Sequence, residues 1–342
     1  MKAGGPRVAL TNADTVDVAR TAHVMQIPTR MDLRPPALCL LLLACPSIDE
    51  GDETPPPEVP APVDDGYGHC PQETRVGGFA VQPATTYTTF VGAVADGVVP
   101  ATILDALLTG GDCALLHPRT LFCDPGCDAG FVCDVGGECV PSPANVDIGA
   151  VAVEGLGGPV DVEAIPPTNI YNFTGDLPFP AYAPGDRVEL YTGDDRLGPS
   201  MVAYGVDDLE VGVDTVPLDP DVDLALTWTP PATDLDARVH VEVNIANHGG
   251  VPAKIVCETA DDGDLVVGAD VVTGLLDVGW SGFPSVTLTR RSSDVADTDD
   301  GCFDFTVQSV VALPAEIPGL TSCSGPDDCP PDQDCLPDLT CG

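Results

Sequence analysis

The residues of this chain whose types and spacing could do chemistry are its cysteines, three aspartate-rich loops and one serine set among glycines. There are 14 cysteines. Two are near the start, Cys39 within a short apolar run and Cys45 just after it. The other twelve are Cys70, Cys113, Cys123, Cys127, Cys133, Cys139, Cys257, Cys302, Cys323, Cys329, Cys335 and Cys341, an even number suited to six disulfides. Cys323, Cys329, Cys335 and Cys341 are spaced with five residues between each, and Cys127, Cys133 and Cys139 keep the same interval. A zinc site needs close pairs separated by a longer gap, which this regular interval does not offer. The two cysteine-rich pieces therefore read as copies of one small disulfide-stapled unit. Cys257 and Cys302 are left over beside predicted strands, and the expectation is one bridge between them.

The loops "LDPDVD", "ADDGD" and "DTDDG" place Asp219, Asp221 and Asp223, then Asp261, Asp262 and Asp264, then Asp297, Asp299 and Asp300 close together. Calcium takes six to eight oxygen ligands, and clustered carboxylates are the groups that supply them. None of the three loops fits the EF-hand, since glycine is misplaced or missing and no glutamate closes the loop. In so acidic a chain most such turns are solvated. Trp280 and Phe283, in the turn-like "DVGWSGFPS", are the candidates for stacking on a ligand such as a carbohydrate. Ser281 follows Gly279, but a nucleophile elbow needs glycines at both second neighbours and a strand-to-helix turn in an α/β sheet. His248 in "NHGGV" lacks that context too, and His240 falls on the polar parity of its strand. No catalytic constellation emerges, and the expectation is a protein that is not an enzyme.

Compartment is read from "ALCLLLLACPSIDEGDETPPPEVP", residues 37 to 60. The apolar run Ala37 to Ala44 is far short of the roughly 20 residues needed to cross a bilayer. It does have the layout of a secretory signal, with Arg30 and Arg34 ahead of it and small Ala44 at its end. Leu42, Leu43, Ala44 and Cys45 resemble the lipobox of a bacterial lipoprotein signal, and the resemblance implies cleavage and lipidation at Cys45. Pro46 stands where an inner-membrane protein of that kind usually shows Asp, so the resemblance implies the outer membrane. Residues 1–24 fit no part of such a signal, and initiation at Met25 or Met31 is expected; detection of a peptide from residues 1–24 in whole cells would remove that expectation. Asn172 in "NFT" matches a glycosylation acceptor, which a bacterial lipoprotein would not use.

Charge narrows the partners. Against 54 acidic residues the chain has 13 basic ones, a formal net charge of −41. The first 45 residues hold five of the basic and three of the acidic residues, so the remainder carries 8 against 51. Nucleic acid and anionic lipid headgroups are repelled by such a surface, because phosphate binding needs clustered Lys and Arg.

The elements that must position these residues are mostly strands. Residues 46–69 form an acidic, proline-rich tether with almost no apolar side chains. Residues 70–143 read as two or three strands followed by a Cys-rich module, with a helix predicted over "ATILDALLTGGDC" from the spacing of Ile103, Leu104, Leu107 and Leu108. Residues 144–318 read as all-β. Val222, Leu224, Leu226 and Trp228 share one parity, as do Val239, Val241, Val243 and Ile245, then Val286 and Leu288, then Phe303, Phe305 and Val307. The one helical candidate there, "GADVVTGLL", is too short to cover a sheet face. The fold class is thus mainly β: an antiparallel β-sandwich, one large or two small, with flanking disulfide-rich modules, residues 319–342 being the second, and a disordered N-terminal segment.

Taken together, the lipobox, the acidic tether, "CDPGCDAGFVC", "LPFPAYAPGDRVEL", "LTWTPP" and "KIVCETADDG" resemble outer-membrane lipoproteins of myxobacterial type. That family carries no established activity, so the resemblance implies fold and location only. The expected function is that of a non-catalytic cell-surface module, anchored to the membrane through its N-terminal lipid and acting on an unidentified protein or glycan partner. The rival expectation is a calcium-dependent adhesion or carbohydrate-binding domain, with Ca²⁺ the one cofactor in view; a secreted hydrolase is the outsider.

Overall fold

The computed structural model describes residues 69–342, apart from 85, 194–199, 234, 236 and 246–252. The leader, the signal, Cys45 and the tether up to residue 68 lie outside the described residues, as does His248. The strands in chain order are β1 (Arg75–Pro83), β2 (Thr88–Val94), β3 (Leu104–Gly110), β4 (Cys113–Pro118), β5 (Phe131–Cys133), β6 (Cys139–Pro141), β7 (Val151–Glu154), β8 (Val160–Val162) and β9 (Tyr171–Asn172). They continue with β10 (Arg187–Thr192), β11 (Met201–Tyr204), β12 (Val216–Pro217), β13 (Leu224–Thr227), β14 (Arg238–Asn244), β15 (Lys254–Ala260), β16 (Asp264–Val267), helix α1 (Ala269–Val278), β17 (Ser285–Thr298) and β18 (Gly301–Glu316).

One large sheet runs in the order β3-β4-β15-β14-β17-β18-β1-β2-β9, with β12 also pairing to β18. Most of its pairings are antiparallel; β1 and β12 lie parallel to β18. A four-stranded sheet, β11-β10-β7-β8, and a two-stranded one, β13-β16, complete the layers. The period-2 patterns read from the sequence are mostly the buried ones: Val239, Val241 and Val243 of β14 point inward, as do Leu224 and Leu226 of β13 and Phe303, Phe305 and Val307 of β18, whereas Val222 lies ahead of β13 and is exposed.

The question of one sandwich or two is answered by two cores on one sheet. In the first, β1, β2 and one end of the β17–β18 hairpin pack on the four-stranded sheet, burying Phe79, Phe90, Phe303 and Phe305 against Val153 and Leu190. The second has β4, β14, β15 and the other end of the hairpin, burying Val241, Ile255 and Leu288 beneath Leu226, Trp228 and α1. Strand pairing crosses the boundary expected at residue 143, because β1 joins β18 through the register Phe79 to Phe305.

Three expectations change. The helix predicted from Ile103 to Leu108 is a strand, β3, which Gly111 and Asp112 turn back onto β4. A register shift between Ala106 and Leu108 makes Leu107 an extra residue, and such a bulge brings successive leucines into a spacing that imitates a helix. Pairing within a large sheet outweighs that local signal. Helix α1 does cover part of a sheet face despite its 10 residues, with Val271, Val272, Leu275 and Leu276 buried in the second core. Its Gly274 lies where an added Cβ would be 2.6 Å from Leu108 Cδ1, so the helix packs tightly on β3.

The third correction is the bridge between Cys257 and Cys302. Cys257 on β15 stands directly opposite Cys113 on β4, at a Cα separation of 4.0 Å, and bonds to it. Cys302 bonds to Cys70. Between Cys257 and Cys302 lie strands β14 and β17, and three strand spacings of about 4.8 Å exceed the span of a disulfide.

Candidate functional site

The cysteines form six bridges, which use all twelve from Cys70 onward. In the first small module Cys123 joins Cys133 and Cys127 joins Cys139; in the second Cys323 joins Cys335 and Cys329 joins Cys341. The first-to-third, second-to-fourth pattern is common to both, as expected of two copies of one unit. Among the described residues, the sets of three ligating side chains close enough to share a metal ion are Cys123, Cys127 and Cys139, and Cys323, Cys329 and Cys335. Their sulfurs are committed to disulfides.

The aspartate loops separate into different duties. Asp261 has a nearly inaccessible side chain, 3% exposed, and binds Arg290, itself 1% exposed. Arg290 donates from Nε to Asp261 Oδ2 at 2.5 Å and from Nη2 to Oδ1 at 2.9 Å, and its remaining N–H groups reach the carbonyls of Asp208 and Thr229. Trp228 Nε1 donates to the same Asp261 Oδ1 at 2.8 Å, so the tryptophan of core parity is also a polar anchor. This carboxylate is therefore removed from any calcium set. Asp223 accepts the N–H of Ala269 at the start of α1, where the helix dipole favours a negative charge. Asp221 has a positive φ of 60° and donates its N–H to Thr273 Oγ1. Asp264 lies in β16 opposite Thr227, Asp262 is exposed beside it, and Asp219 borders a shallow depression with Glu316. Asp297, Asp299 and Asp300 surround the tip of the β17–β18 hairpin.

Between the two cores the long hairpin carries a buried polar seam that the sequence reading passed over. Ser292 Oγ accepts the N–H of Tyr204, Asp294 Oδ2 that of Val202, and Ser309 Oγ that of Leu209. Within the run "RRSSD" of β17, Ser292 and Asp294 thus face backbone donors of β11, while Ser293 pairs with Thr306. Tyr182 donates to the carbonyl of Gln308 here, and burial pushes its phenol well above the ordinary value.

Trp280 and Phe283 are 42% and 40% exposed, and between them Ser281 is buried. The Ser281 N–H donates to Ile245 O, while its Oγ has no hydrogen-bond partner. The backbone N–H of Gly282 donates to Asp338 O of the second cysteine module. His240 shares Glu258 Oε1 with Arg291, Nδ1 lying 2.5 Å from it, on the outer face of β14 and β15.

A site not visible in the sequence lies where the first cysteine module meets the turn after β2. There a cavity of about 390 Å³ has walls of Val98, Pro100, Ile103, Val135, Val140 and Pro141, and carboxylates from Glu73, Asp96 and Asp134. Asp96 Oδ1 accepts the N–H of Ala144 and Asp134 Oδ1 that of Glu138, both at 2.8 Å. These residues come from three separate segments, so no single motif announces them.

No protein-family model matches the chain, and no curated protein matches it. Among solved structures, the chicken CNTN1 FN1–FN3 domains superpose with a TM-score of 0.19 at 10% identity, over 68% of this chain and 69% of that one. A superposition at that score carries no argument for fold or function. Among the described residues no helix is long and apolar enough to cross a membrane.

Proposed function

We propose that the chain is an exported, non-catalytic surface protein, tethered by lipid at Cys45, whose two-core β-structure serves as a binding or structural module. The observation that carries this reading is the pairing of every cysteine from Cys70 onward into disulfides. Such bonds form and persist outside the reducing cytosol. The side chains most suited to acid–base or nucleophilic work support a passive role, since His240 is held by Glu258 and Ser281 is buried. The half-exposed Trp280 and Phe283 favour a second reading, a glycan-binding surface; a glycan array probed with the wild type and Trp280→Ala tests it.

The decisive experiment for the first reading is the intact mass of the protein from the native membrane fraction, before and after reduction. The expected result is an acylated chain starting at Cys45 that gains about two mass units per bridge. An unmodified chain starting at Met1 with free thiols would overturn the proposal.

A further inference from the structure

The cavity beside the first cysteine module combines three properties that together select a ligand. Its volume of about 390 Å³ falls in the range of small-molecule sites. Its walls are aliphatic and proline-rich, so they reward an apolar body by burial. Every charged group lining it is a carboxylate, with no Lys, Arg or His among the lining residues.

The walls are also held in place. Val135 and Val140 belong to the β5–β6 hairpin, which Cys123–Cys133 and Cys127–Cys139 staple. Glu73 lies three residues from Cys70, which is bonded to Cys302. A site fixed in this way avoids the ordering penalty that weakens binding to mobile loops. Asp96 and Asp134 each spend Oδ1 on a backbone N–H, which aims the carboxylate and leaves Oδ2 for a ligand.

We infer that this cavity binds a compact organic cation, an apolar body bearing one ammonium or guanidinium group, with Asp96 and Asp134 receiving the charge. Glu73 is offset by Arg119, 3.7 Å from its Oε1, but an anion would still meet Asp96 and Asp134 on a chain whose net charge is −41. A neutral ligand of the same shape would cover the carboxylates without replacing the water it removes, an unfavourable exchange. A cation supplies the missing partner, and its attraction strengthens as water is displaced.

This inference rests on the binding half of the function proposed above. The test is calorimetric titration of the disulfide-intact protein with phenethylamine, 2-phenylethanol and phenylacetate, which share a body and differ in charge. The amine is expected to bind about tenfold or more tightly than the alcohol, with phenylacetate giving no heat. A capped arginine peptide in a parallel titration reports whether the natural cation is a free amine or a side chain, according to which binds more tightly. In Asp96→Asn/Asp134→Asn, which keeps both Oδ1 acceptors, the amine should fall to the affinity of the alcohol. Equal binding of amine and alcohol, an unchanged amine affinity in the double variant, or no heat at millimolar amine would overturn the inference. The wild-type comparison needs no variant to fold. Failure here with six bridges and an acylated Cys45 confirmed by mass removes the ligand class alone, whereas free thiols in that mass would remove the exported frame itself.

Discussion

The two cores share one sheet and one hairpin, yet they are filled with different side chains. The first sets a cluster of rings among its valines: Phe79 stacks on Phe90 at 5.8 Å between ring centroids and meets Tyr171 and Phe303 edge-on at 5.6 and 6.4 Å. The second is almost wholly aliphatic, with Trp228 as its one large ring. The covers explain the contrast. Over the first lies a four-stranded sheet, and the roughly 10 Å between stacked sheets is filled well by rings. Over the second lie a two-stranded ribbon and α1, whose Val and Leu side chains reach down themselves. One strand pair can therefore serve two packing chemistries, provided that something polar marks where one stops and the other begins. The Arg290–Asp261 pair and the serines of β17 are that mark.

Breaking the mark should have the largest effect. Arg290→Met leaves the Asp261 carboxylate buried without its cation, and losing one partner of such a pair typically destabilises by about 3–5 kcal/mol. Urea unfolding followed by tryptophan fluorescence would report it, since Trp228 Nε1 is bonded to the same carboxylate. Arg290→Met/Asp261→Leu should recover much of the loss, because the penalty lies in the unpaired charge. A single variant within about 1 kcal/mol of wild type would show that the pair does not hold the boundary between the cores.

The staples come next. Cys70–Cys302 closes a loop spanning 232 residues and ties the segment ahead of β1 to β18 in the ring-bearing core, while Cys127–Cys139 spans 12 within its small module. Bridges typically contribute about 2–4 kcal/mol, more for longer loops in the chain-entropy account. Replacing the first pair by serine should therefore lower the melting temperature more than replacing the second.

A smaller effect separates the cores at their glycines. A Cβ on Gly92 would sit 2.2 Å from Phe79 Cδ1 and 2.7 Å from the Gly78 carbonyl oxygen, so Gly92→Ala should destabilise by about 1–3 kcal/mol through overpacking. In the aliphatic core the matching contact at Gly274 is the end of a leucine side chain, which can turn aside, and alanine favours a helix interior over glycine by up to about 1 kcal/mol. Gly274→Ala should come out near neutral in the same thermal scan.

How much of this was legible follows from the range of each interaction. Alternation in β14, β13 and β18 is local, and it names the buried Val239, Val241, Val243, Leu224, Leu226, Phe303 and Phe305, failing at Val222, which lies ahead of β13 and is exposed. The regular cysteine interval is local as well, and it marked the two small modules. The partners of Cys257 and Cys302 depended on strand order, which no window of sequence contains. The bulge in β3 produced a helical spacing without a helix. Asp261 read as one acid of a solvated turn because Arg290, which removes it from solvent, lies 29 residues on. The cavity drew on Glu73, Asp96 and Asp134, three acids in separate segments of an acidic chain, so composition concealed what assembly brought together.

The smallest effect sharpens the comparison through acid. Glu189 of β10, on the cover of the ring-bearing core, hydrogen-bonds Arg187 on its own strand, and that contact together with Ser200 lowers its carboxyl to about 2. A carboxyl depressed in the folded state adds stability above its unfolded value near 4.3, and that contribution is lost as pH falls through about 2. Glu189→Gln should thus melt slightly below wild type at pH 7, by a small margin because Arg187 is solvated. The gap should close between about pH 4 and pH 2. A gap unchanged across that window would mean that the glutamate acts through packing, and that the sheet over the ring-bearing core is held by its apolar face alone.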